Sequence, residues 1–499
     1  MELRTLFKNS SYLIATRIAK FFSGIVRSKL IAVYLGTLGA GIISQLMQVT
    51  SSMQQFTILG MDDGLVKQIA ESDKNEKAFD KKFASLIKSY ISIVSLILIA
   101  ALIILLFFSK KLTVYVFGDT KYYPYFIIGI LSFPILIYNT IPMAMLRGYK
   151  LIKYIARSEL IVVIVNLLLF IPIVYFWGIT GAAIHVALSL STIFLFNQFY
   201  ANKKVLVKLD IKIFDIIKAK INKTAVRELL SFAGFGLTAG TAWIFTNMLT
   251  RAIVVTKIGI SELGIYTPVT YWGSLFDGFI STSIVTYLYP RLSEAKSDKE
   301  ISGILNDSLR YITLMFLPFL FISIPVRYKI IPLFYSKAFE SAGDYLPWHF
   351  MGVLFYLWML MFMQVMTAKG KLKTEGMIII LTCLTDIGVV YYFIDKFGLY
   401  GWMLKFIISP VIFYNFYLFY FKKSFTFKLE EKNLIIMSYV IVAFILQMLI
   451  EKFFNFNYII NLLIGIGLII ISFFLLTTDE KNFIFDKIRL GYDRYIKKH

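Results

Sequence analysis

Apolar segments, each about as long as a bilayer-crossing helix, recur throughout this chain. A helix needs about 20 apolar residues to cross the hydrocarbon core, and its backbone polar groups must be satisfied internally there. Windows of this length give fourteen predicted spans, numbered below in chain order. They lie near 10–35, 39–60, 83–108, 123–145, 154–177, 179–200, 229–256, 263–288, 308–326, 346–368, 374–395, 399–420, 433–451 and 456–476. Since 58% of the residues are hydrophobic, against roughly 45–50% in soluble chains, we predict an all-α polytopic membrane protein.

Basic residues are distributed unevenly between the loops. The net charge of +22 could indicate a nucleic-acid partner, but most Lys and Arg residues lie in alternate loops. This asymmetry follows the positive-inside rule, which places both termini in the cytoplasm. The even number of predicted spans agrees with that topology, so we expect no nucleic-acid partner.

Short motifs recur in the same order at an offset of 220–223 residues. The matched pairs are 36–41 with 259–264, 66–71 with 289–294, 147–150 with 369–371, and 178–181 with 398–401. Four matches in one order predict two homologous six-helix lobes of the same orientation, a design used by transporters. The predicted domains are lobes at 1–200 and 229–424, a linker at 201–228, spans 13 and 14 within 425–476, and a basic cytoplasmic tail at 477–499.

The linker between the predicted lobes mixes apolar and basic residues. Val205, Leu206, Leu209 and several later isoleucines alternate with seven lysines between Lys203 and Lys223. This pattern is typical of an amphipathic segment on the anionic cytoplasmic leaflet, whereas the alternative is a solvated linker.

Three cations share one face of the first predicted span. Arg17, Lys20 and Arg27 lie at i, i+3 and i+10, with Gly24 at i+7. Charges in the hydrocarbon region are costly and usually face a protein interior or a watery cavity, so this spacing predicts a lumen for an anionic cargo. The alternatives are snorkelling and a structural ion pair.

Polar side chains in the second and seventh spans extend this candidate binding site. Gln45, Gln48, Ser52 and Gln55 repeat the same spacing, and their amides suit sugar hydroxyls or, alternatively, hydrogen bonds between helices. Arg251, with Asn247 nearby, is a candidate contact for a pyrophosphate or a sugar.

Two acids lie deep in predicted spans, Asp277 in the eighth and Asp386 in the eleventh. Either could bind a coupling H⁺ or Na⁺, or could neutralise a basic residue, while transport driven by membrane potential alone stays an alternative. The single cysteine, Cys383, excludes an intramolecular disulfide, and three scattered histidines give no metal-ligand spacing. We therefore expect no cofactor.

Four motifs carry a resemblance to a known family. They are Lys8-Asn-Ser-Ser-Tyr12, Tyr34-Leu-Gly-Thr-Leu-Gly-Ala-Gly41, Leu59-Gly-Met-Asp-Asp-Gly64 and Tyr289-Pro-Arg-Leu-Ser-Glu294. With them the chain resembles, over nearly its whole length, the polysaccharide flippases of the multidrug/oligosaccharidyl-lipid/polysaccharide (MOP) exporter superfamily. The resemblance implies a fold like that of the multidrug extruders called MATE, with two six-helix lobes and two further C-terminal helices.

The same resemblance implies a function and a setting. It implies a flippase, not an enzyme, that carries undecaprenyl-pyrophosphate-linked oligosaccharide units across the bacterial cytoplasmic (inner) membrane by alternating access. The product would be O-antigen, capsule or exopolysaccharide. The implied partners are the lipid-linked oligosaccharide, membrane lipids, a polysaccharide polymerase and chain-length machinery.

Two other functions stay open from the sequence. A multidrug extruder of the same superfamily would usually need an acidic, aromatic cavity for organic cations, whereas bases predominate on the predicted inner faces. A membrane enzyme such as a polysaccharide polymerase would usually present paired carboxylates in a large loop. The outer loop near 327–345 offers only Glu340 and Asp344.

Overall fold

The computed structural model describes residues 2–72, 79–236, 239–454, 457–478, 480 and 481. In these ranges every regular element is helical. The α-helices are α1 Glu2–Tyr34, α2 Gly36–Ile58, α3 Met61–Glu71, α4 Phe79–Phe107, α5 Ser109–Phe117, α6 Tyr123–Tyr138, α7 Thr140–Gly148, α8 Ile152–Ala201, α9 Ile213–Lys218, α10 Lys223–Gly236, α11 Ala239–Ile258, α12 Ile260–Ile265, α13 Thr267–Glu294, α14 Asp298–Phe334, α15 Ala342–Ala368, α16 Leu372–Phe397, α17 Leu399–Met403, α18 Lys405–Ser424, α19 Glu431–Phe454 and α20 Tyr458–Phe474.

The helices confirm the prediction of a polytopic membrane protein. Within the described residues, eight helical segments are long and apolar enough to cross a membrane, and α20 is a shorter apolar helix. Every predicted span overlaps a helix, while the count of fourteen membrane crossings remains a prediction. The basic tail predicted at 477–499 lies outside the described residues from 482 onward.

Two of the differences from the sequence prediction concern α14 and α3. The ninth predicted span covers 308–326, whereas α14 extends from Asp298 to Phe334 because the helix continues through polar residues at both ends. The second is α3, which occupies a segment predicted as a loop. Its residues Met61, Leu65 and Ile69 are fully buried, and this spacing packs one face of the helix into a core.

Proline and glycine interrupt two of the predicted spans. The fourth span divides at Asn139 into α6 and α7, between Pro134 and Pro142, since proline removes a backbone donor and crowds the preceding turn. Within α8, Gly178 has φ 53° and ψ −132°, so the fifth and sixth predicted spans meet there without a loop. A residue with a side chain would be strained at this φ.

Contacts between residues divide the chain into two compact units. The first comprises Met1–Pro268, Pro332–Phe339 and Ile379–Trp402, and the second comprises Val269–Ile331, Glu340–Ile378 and Met403–His499. This grouping reflects packing, whereas the lobes at 1–200 and 229–424 were predicted from repeated sequence, so those lobes remain a prediction.

In the first unit, an apolar core surrounds the first half of α4. Side chains of α3 and α7 pack there with Phe83, Ile87 and Tyr90 of α4, and Leu229 of α10 joins them. Tyr90 lies 2.9 Å from the hydroxyl of Thr140, so its phenol is satisfied inside the core. The helix α10, which follows the linker, is therefore part of this unit.

The N-terminal ends of α2 and α12 pack together in the first unit. A Cβ atom added at Gly41 would overlap the backbone oxygen of Ile260, and one added at Gly264 would overlap that of Thr37. Positions 37 and 260 are separated by the repeat offset of 223, as are positions 41 and 264. The two copies of the repeated motif are therefore in reciprocal contact, and glycine is what allows the backbones to approach so closely.

In the second unit, two ion pairs join α14 to the C-terminal segments. Arg310, only 2% exposed, donates from Nε to Glu480 over 2.5 Å and from Nη2 to the backbone oxygen of Leu475 over 2.7 Å. Arg327 donates to Glu451 of α19 over 2.7 Å. Because breaking a buried pair leaves an uncompensated charge, these contacts hold α19 and α20 against α14.

Candidate functional site

The candidate site begins on α1, which runs without a break through all three cations of the predicted stripe. Arg17 is exposed on the surface of this helix. The ammonium group of Lys20 lies 2.9 Å from Oε1 of Glu159 in α8, and half of the Lys20 side chain is not covered by protein. Lys20 therefore has a counterion and still presents an accessible face.

Arg27 lies beside the aromatic and polar side chains of α8. Its guanidinium carbon is 5.3 Å from the centre of the Phe170 ring, which is a cation–π distance. His185 packs edge-on against the same ring, with 4.9 Å between ring centres, and its Nε2 is 2.9 Å from the backbone oxygen of Asn166. His185 is therefore a packed, hydrogen-bonded residue.

Arg251 connects α11 to α2. Its Nε donates to Oε1 of Gln45 over 2.6 Å, and its Nη2 donates to the hydroxyl of Ser44 over 2.6 Å. Gln45 is buried and donates from Nε2 to the backbone oxygen of Val116 in α5 over 2.7 Å. One buried glutamine thus joins three helices, and two of the five guanidinium N–H groups of Arg251 are engaged within the protein.

The other polar residues of this predicted stripe have different surroundings. Gln48 donates to the Ser52 hydroxyl over 3.0 Å within α2, and Gln55 is exposed. In α11, Asn247 donates from Nδ2 to the backbone oxygen of Trp243 over 3.1 Å. The structure therefore brings together Arg251 and Gln45 among the predicted residues, and it leaves Gln55 uncovered by protein.

The two candidate coupling acids are both on helices. Asp386 of α16 is 6% exposed and therefore buried within the first unit. Asp277 belongs to α13, but its side chain lies outside the described part of the structure.

Sequence reasoning missed several partners in this region. No particular partner was predicted for Lys20, whereas Glu159 of α8 is its counterion. Ser44 and Phe170 were not singled out, although they contact Arg251 and Arg27. An acid in an otherwise apolar span is a usable signal for the first of these, while Ser44 and Phe170 carry no such signal.

The first unit therefore has guanidinium and ammonium groups on α1 and α11 with neutral hydrogen-bonding groups on α2. Such cations bind phosphate oxygens through charge-assisted hydrogen bonds, and Arg can do so in bidentate geometry. Among the described residues, no group of three or more His, Cys, Asp or Glu side chains could hold a metal ion.

Long apolar helices with charged side chains inside their spans define this chain as a polytopic membrane protein. A family model described as "Polysaccharide biosynthesis protein" matches residues 6–296, more than half of the sequence. The chain belongs to this family, as its four motifs led us to expect.

Curated relatives and solved structures are similar to the chain over most of its length. The Lipid III flippase of Escherichia coli (strain K12) is 19% identical over 372 residues, which are 74% of this chain and 86% of the relative. The Lipid III flippase of Shigella flexneri gives the same values. The structure of the Lipid II flippase MurJ in an inward closed conformation has a TM-score of 0.67 at 19% identity and covers 92% of this chain and 97% of that one.

A second solved structure matches equally well in fold. The inward-facing multidrug resistance MATE family transporter of the MOP superfamily has a TM-score of 0.68 at 13% identity, covering 81% of this chain and 94% of that one. The MATE-like fold is therefore confirmed.

Proposed function

We propose that this protein is a flippase for undecaprenyl-pyrophosphate-linked oligosaccharide units, moving them from the cytoplasmic to the outer leaflet for surface polysaccharide synthesis. The observation that carries the proposal is the row of cations on α1, in a chain of the polysaccharide biosynthesis family. A lipid-linked pyrophosphate is the kind of anion that cannot cross a bilayer unaided, and Arg and Lys are the side chains that bind it. The curated relatives, named for Lipid III, support a lipid-linked substrate.

In this proposal Arg17, Lys20 and Arg27 are successive contacts for the pyrophosphate along α1. Using a rise of about 1.5 Å per residue, the ten residues from Arg17 to Arg27 span about 15 Å, half of the hydrocarbon thickness. Gln48, Gln55 and Asn247 are proposed contacts for the sugar. Arg251 and Gln45 are bound to each other in this state, so their part in binding requires the contact between them to open.

The proposed setting is the bacterial cytoplasmic membrane with both termini in the cytoplasm. Its support is the alternation of basic loops. Reporter fusions between α7 and α8, at 149–151, and between α5 and α6, at 118–122, test this topology, with the first expected inside and the second outside. The reverse result would contradict it.

Substitution of Arg17 tests the function directly. We expect Arg17→Ala to abolish surface polysaccharide, and Arg17→Lys to retain part of it because charge persists without bidentate geometry. The readout is surface glycan at matched membrane expression, together with flipping of a labelled lipid-linked oligosaccharide in liposomes. Lys111→Ala, at an exposed cation of α5, is the control and should behave as wild type. Normal glycan and normal flipping in Arg17→Ala would remove this residue from the mechanism.

A multidrug extruder is the second candidate, favoured by the fold shared with the MATE transporter. A strain lacking the protein separates the two functions. If the protein is a flippase, this strain loses surface polysaccharide and exports organic cations as before. If it is an extruder, the strain keeps its surface polysaccharide and loses export of organic cations.

A further inference from the structure

The linker between α8 and α10 presents apolar side chains that the protein does not cover. Val207, Ile213, Phe214, Ile217 and Ile221 are 67%, 55%, 60%, 58% and 53% exposed. Comparable values occur on apolar helices that are long enough to span a membrane, as for Leu168 at 65%. Here, however, they occur in a segment whose α-helix, α9, has only six residues and cannot cross a bilayer.

The other side of this linker is fixed to α4. Ile211 and Ile216 are 7% and 5% exposed and belong to the core around α4. The hydroxyl of Ser85 donates to the backbone oxygen of Lys220 over 2.5 Å, and the backbone N–H of Asn222 donates to Ser89 over 2.8 Å. Because these contacts hold the backbone in place, the apolar residues on the opposite side cannot turn into the core.

Positive charge borders the apolar face. Residues 203–223 contain seven lysines and two aspartates. The ammonium group of Lys218 lies 4.3 Å from the centre of the Phe214 ring, which places a cation at the edge of the exposed apolar side chains. Asp215 accepts a hydrogen bond from the backbone N–H of Lys212 over 2.8 Å and is thereby engaged at the start of α9.

We infer that the linker is a membrane-surface docking site, in which Ile213, Phe214 and Ile217 enter the headgroup and acyl boundary of a leaflet rich in anionic phospholipid. An apolar face flanked by lysines is what such a surface binds, since insertion buries the apolar area while the ammonium groups meet lipid phosphates. A protein partner would have to be acidic and apolar at once, and it is the alternative that the experiment below separates.

The test uses the full-length protein in nanodiscs, with a fluorophore on one introduced cysteine in a Cys383→Ala background. Phe214→Cys and Ile217→Cys report on the apolar face, and Lys212→Cys is the matched control at an exposed polar position of the same linker. Discs contain either phosphatidylcholine alone or phosphatidylcholine with phosphatidylglycerol, and each is prepared with a lipid-borne quencher. Iodide measures exposure to water, and the thermal unfolding midpoint confirms that each variant is folded.

We expect lipid-borne quenching at positions 214 and 217 to be several-fold stronger than at 212, with iodide quenching in the reverse order. The difference should shrink in neutral discs and at high salt, because salt screens the lysines. Replacing Lys208, Lys218 and Lys220 by Gln, with position 212 kept for the control cysteine, should have the same effect as neutral lipid.

Two results would overturn the inference. Equally weak lipid-borne quenching at all three positions in anionic discs means that the linker does not enter the membrane. Strong lipid-borne quenching at positions 214 and 217 that does not change with lipid charge, salt or the lysine replacements excludes recognition of anionic lipid. Since nanodiscs expose both leaflets and require no transport, either result is independent of the flippase function and of the proposed topology.

Discussion

Single side chains in this protein combine binding chemistry with contacts between helices. Arg251 was predicted as a substrate contact, and it donates to Gln45 and Ser44 of α2. Lys20 was predicted likewise and is paired with Glu159. A cation that already has internal partners can exchange them for phosphate oxygens and is then hydrogen-bonded at both stages.

A double-mutant cycle on Arg251 and Gln45 measures the strength of this contact. We expect a coupling energy of about 1–2 kcal/mol in the free energy of unfolding, because a hydrogen bond to a charged group exceeds the ~0.6 kcal/mol average between membrane side chains. The free energy of unfolding is measured by reversible unfolding in detergent for wild type, for each single alanine variant and for the double alanine variant. The control cycle pairs Arg251 with Gln48, which bonds to Ser52 instead, and should give no coupling. Equal coupling in the two cycles would contradict the assignment.

A carboxyl group outside the spans, that of Asp62 in α3, should make stability depend on pH. Burial, and next the neighbouring Asp63, raise the pKa of Asp62 above the ordinary aspartate value of 3.8. A raised folded-state pKa means that the ionised form costs stability, so the cost is present above the folded pKa and disappears as pH falls below 3.8.

We therefore expect Asp62→Asn to raise the unfolding midpoint at pH 7 and to lose this advantage near pH 4. Thermal unfolding of both proteins in detergent at the two pH values is the measurement. Glu71→Gln is the control. It neutralises an exposed acid of the same helix, whose partner Lys67 is 3.9 Å away, and should leave the unfolding midpoint nearly unchanged. An Asp62→Asn protein that is less stable than wild type at pH 7 would refute this account.

The helices themselves could be predicted from the sequence far better than their contacts. Apolar runs located each predicted span, and Pro134, Pro142 and Gly178 explain the breaks at Asn139 and within α8. Local chemistry determines these features. Tertiary packing determines which helix faces meet. The Arg251–Gln45 hydrogen bond joins residues 206 positions apart, and neither segment alone indicates that it contacts the other. The helix α3 was missed for the same reason, since its buried face exists only against α4, α7 and α10.

The crossing of α2 and α12 gives a prediction at the scale of elements. Gly264→Ala should strongly destabilise the protein or displace α12, because the new Cβ would overlap the backbone oxygen of Thr37 and backbone cannot yield as a side chain can. Gly303→Ala in α14 is the matched control. Its Cβ meets nothing within 4 Å, and alanine should stabilise the helix by about 0.5–1 kcal/mol. The unfolding midpoint reports the result. A Gly264→Ala protein as stable as wild type would show that the close approach is not required.

For the whole molecule, the proposed transport cycle must return the empty carrier after release of the pyrophosphate. A ligand shifts a conformational equilibrium only through its differential affinity for the two states. We propose that the pyrophosphate favours the outward change and that Asp277 or Asp386 takes up H⁺ or Na⁺ during the return, unless membrane potential alone suffices.

We expect Asp386→Asn or Asp277→Asn to abolish the dependence of flipping on one ion. Liposomes with a labelled lipid-linked oligosaccharide are assayed while pH, Na⁺ and membrane potential are varied separately. Asp395→Asn, at an exposed acid on the same helix as Asp386, is the control and should keep wild-type ion dependence. If both test variants keep the rate and the ion dependence of wild type, those acids are structural partners of basic residues instead.

The reciprocal contact between the two glycine motifs has the form of a homodimer interface inside one chain. Residue 37 meets 264 while 41 meets 260, as identical subunits meet across a two-fold axis. In a true homodimer any mutation changes both sides at once, whereas a fused pair can change one side at a time. The four residues between the glycines differ in this way between the copies, since Thr-Leu-Gly-Ala in the first copy is replaced by Ile-Ser-Glu-Leu in the second. Only the terminal glycines still obey the symmetry of a dimer, since Gly41 and Gly264 each meet backbone of the other copy while Gly36 and Gly259 both have positive φ.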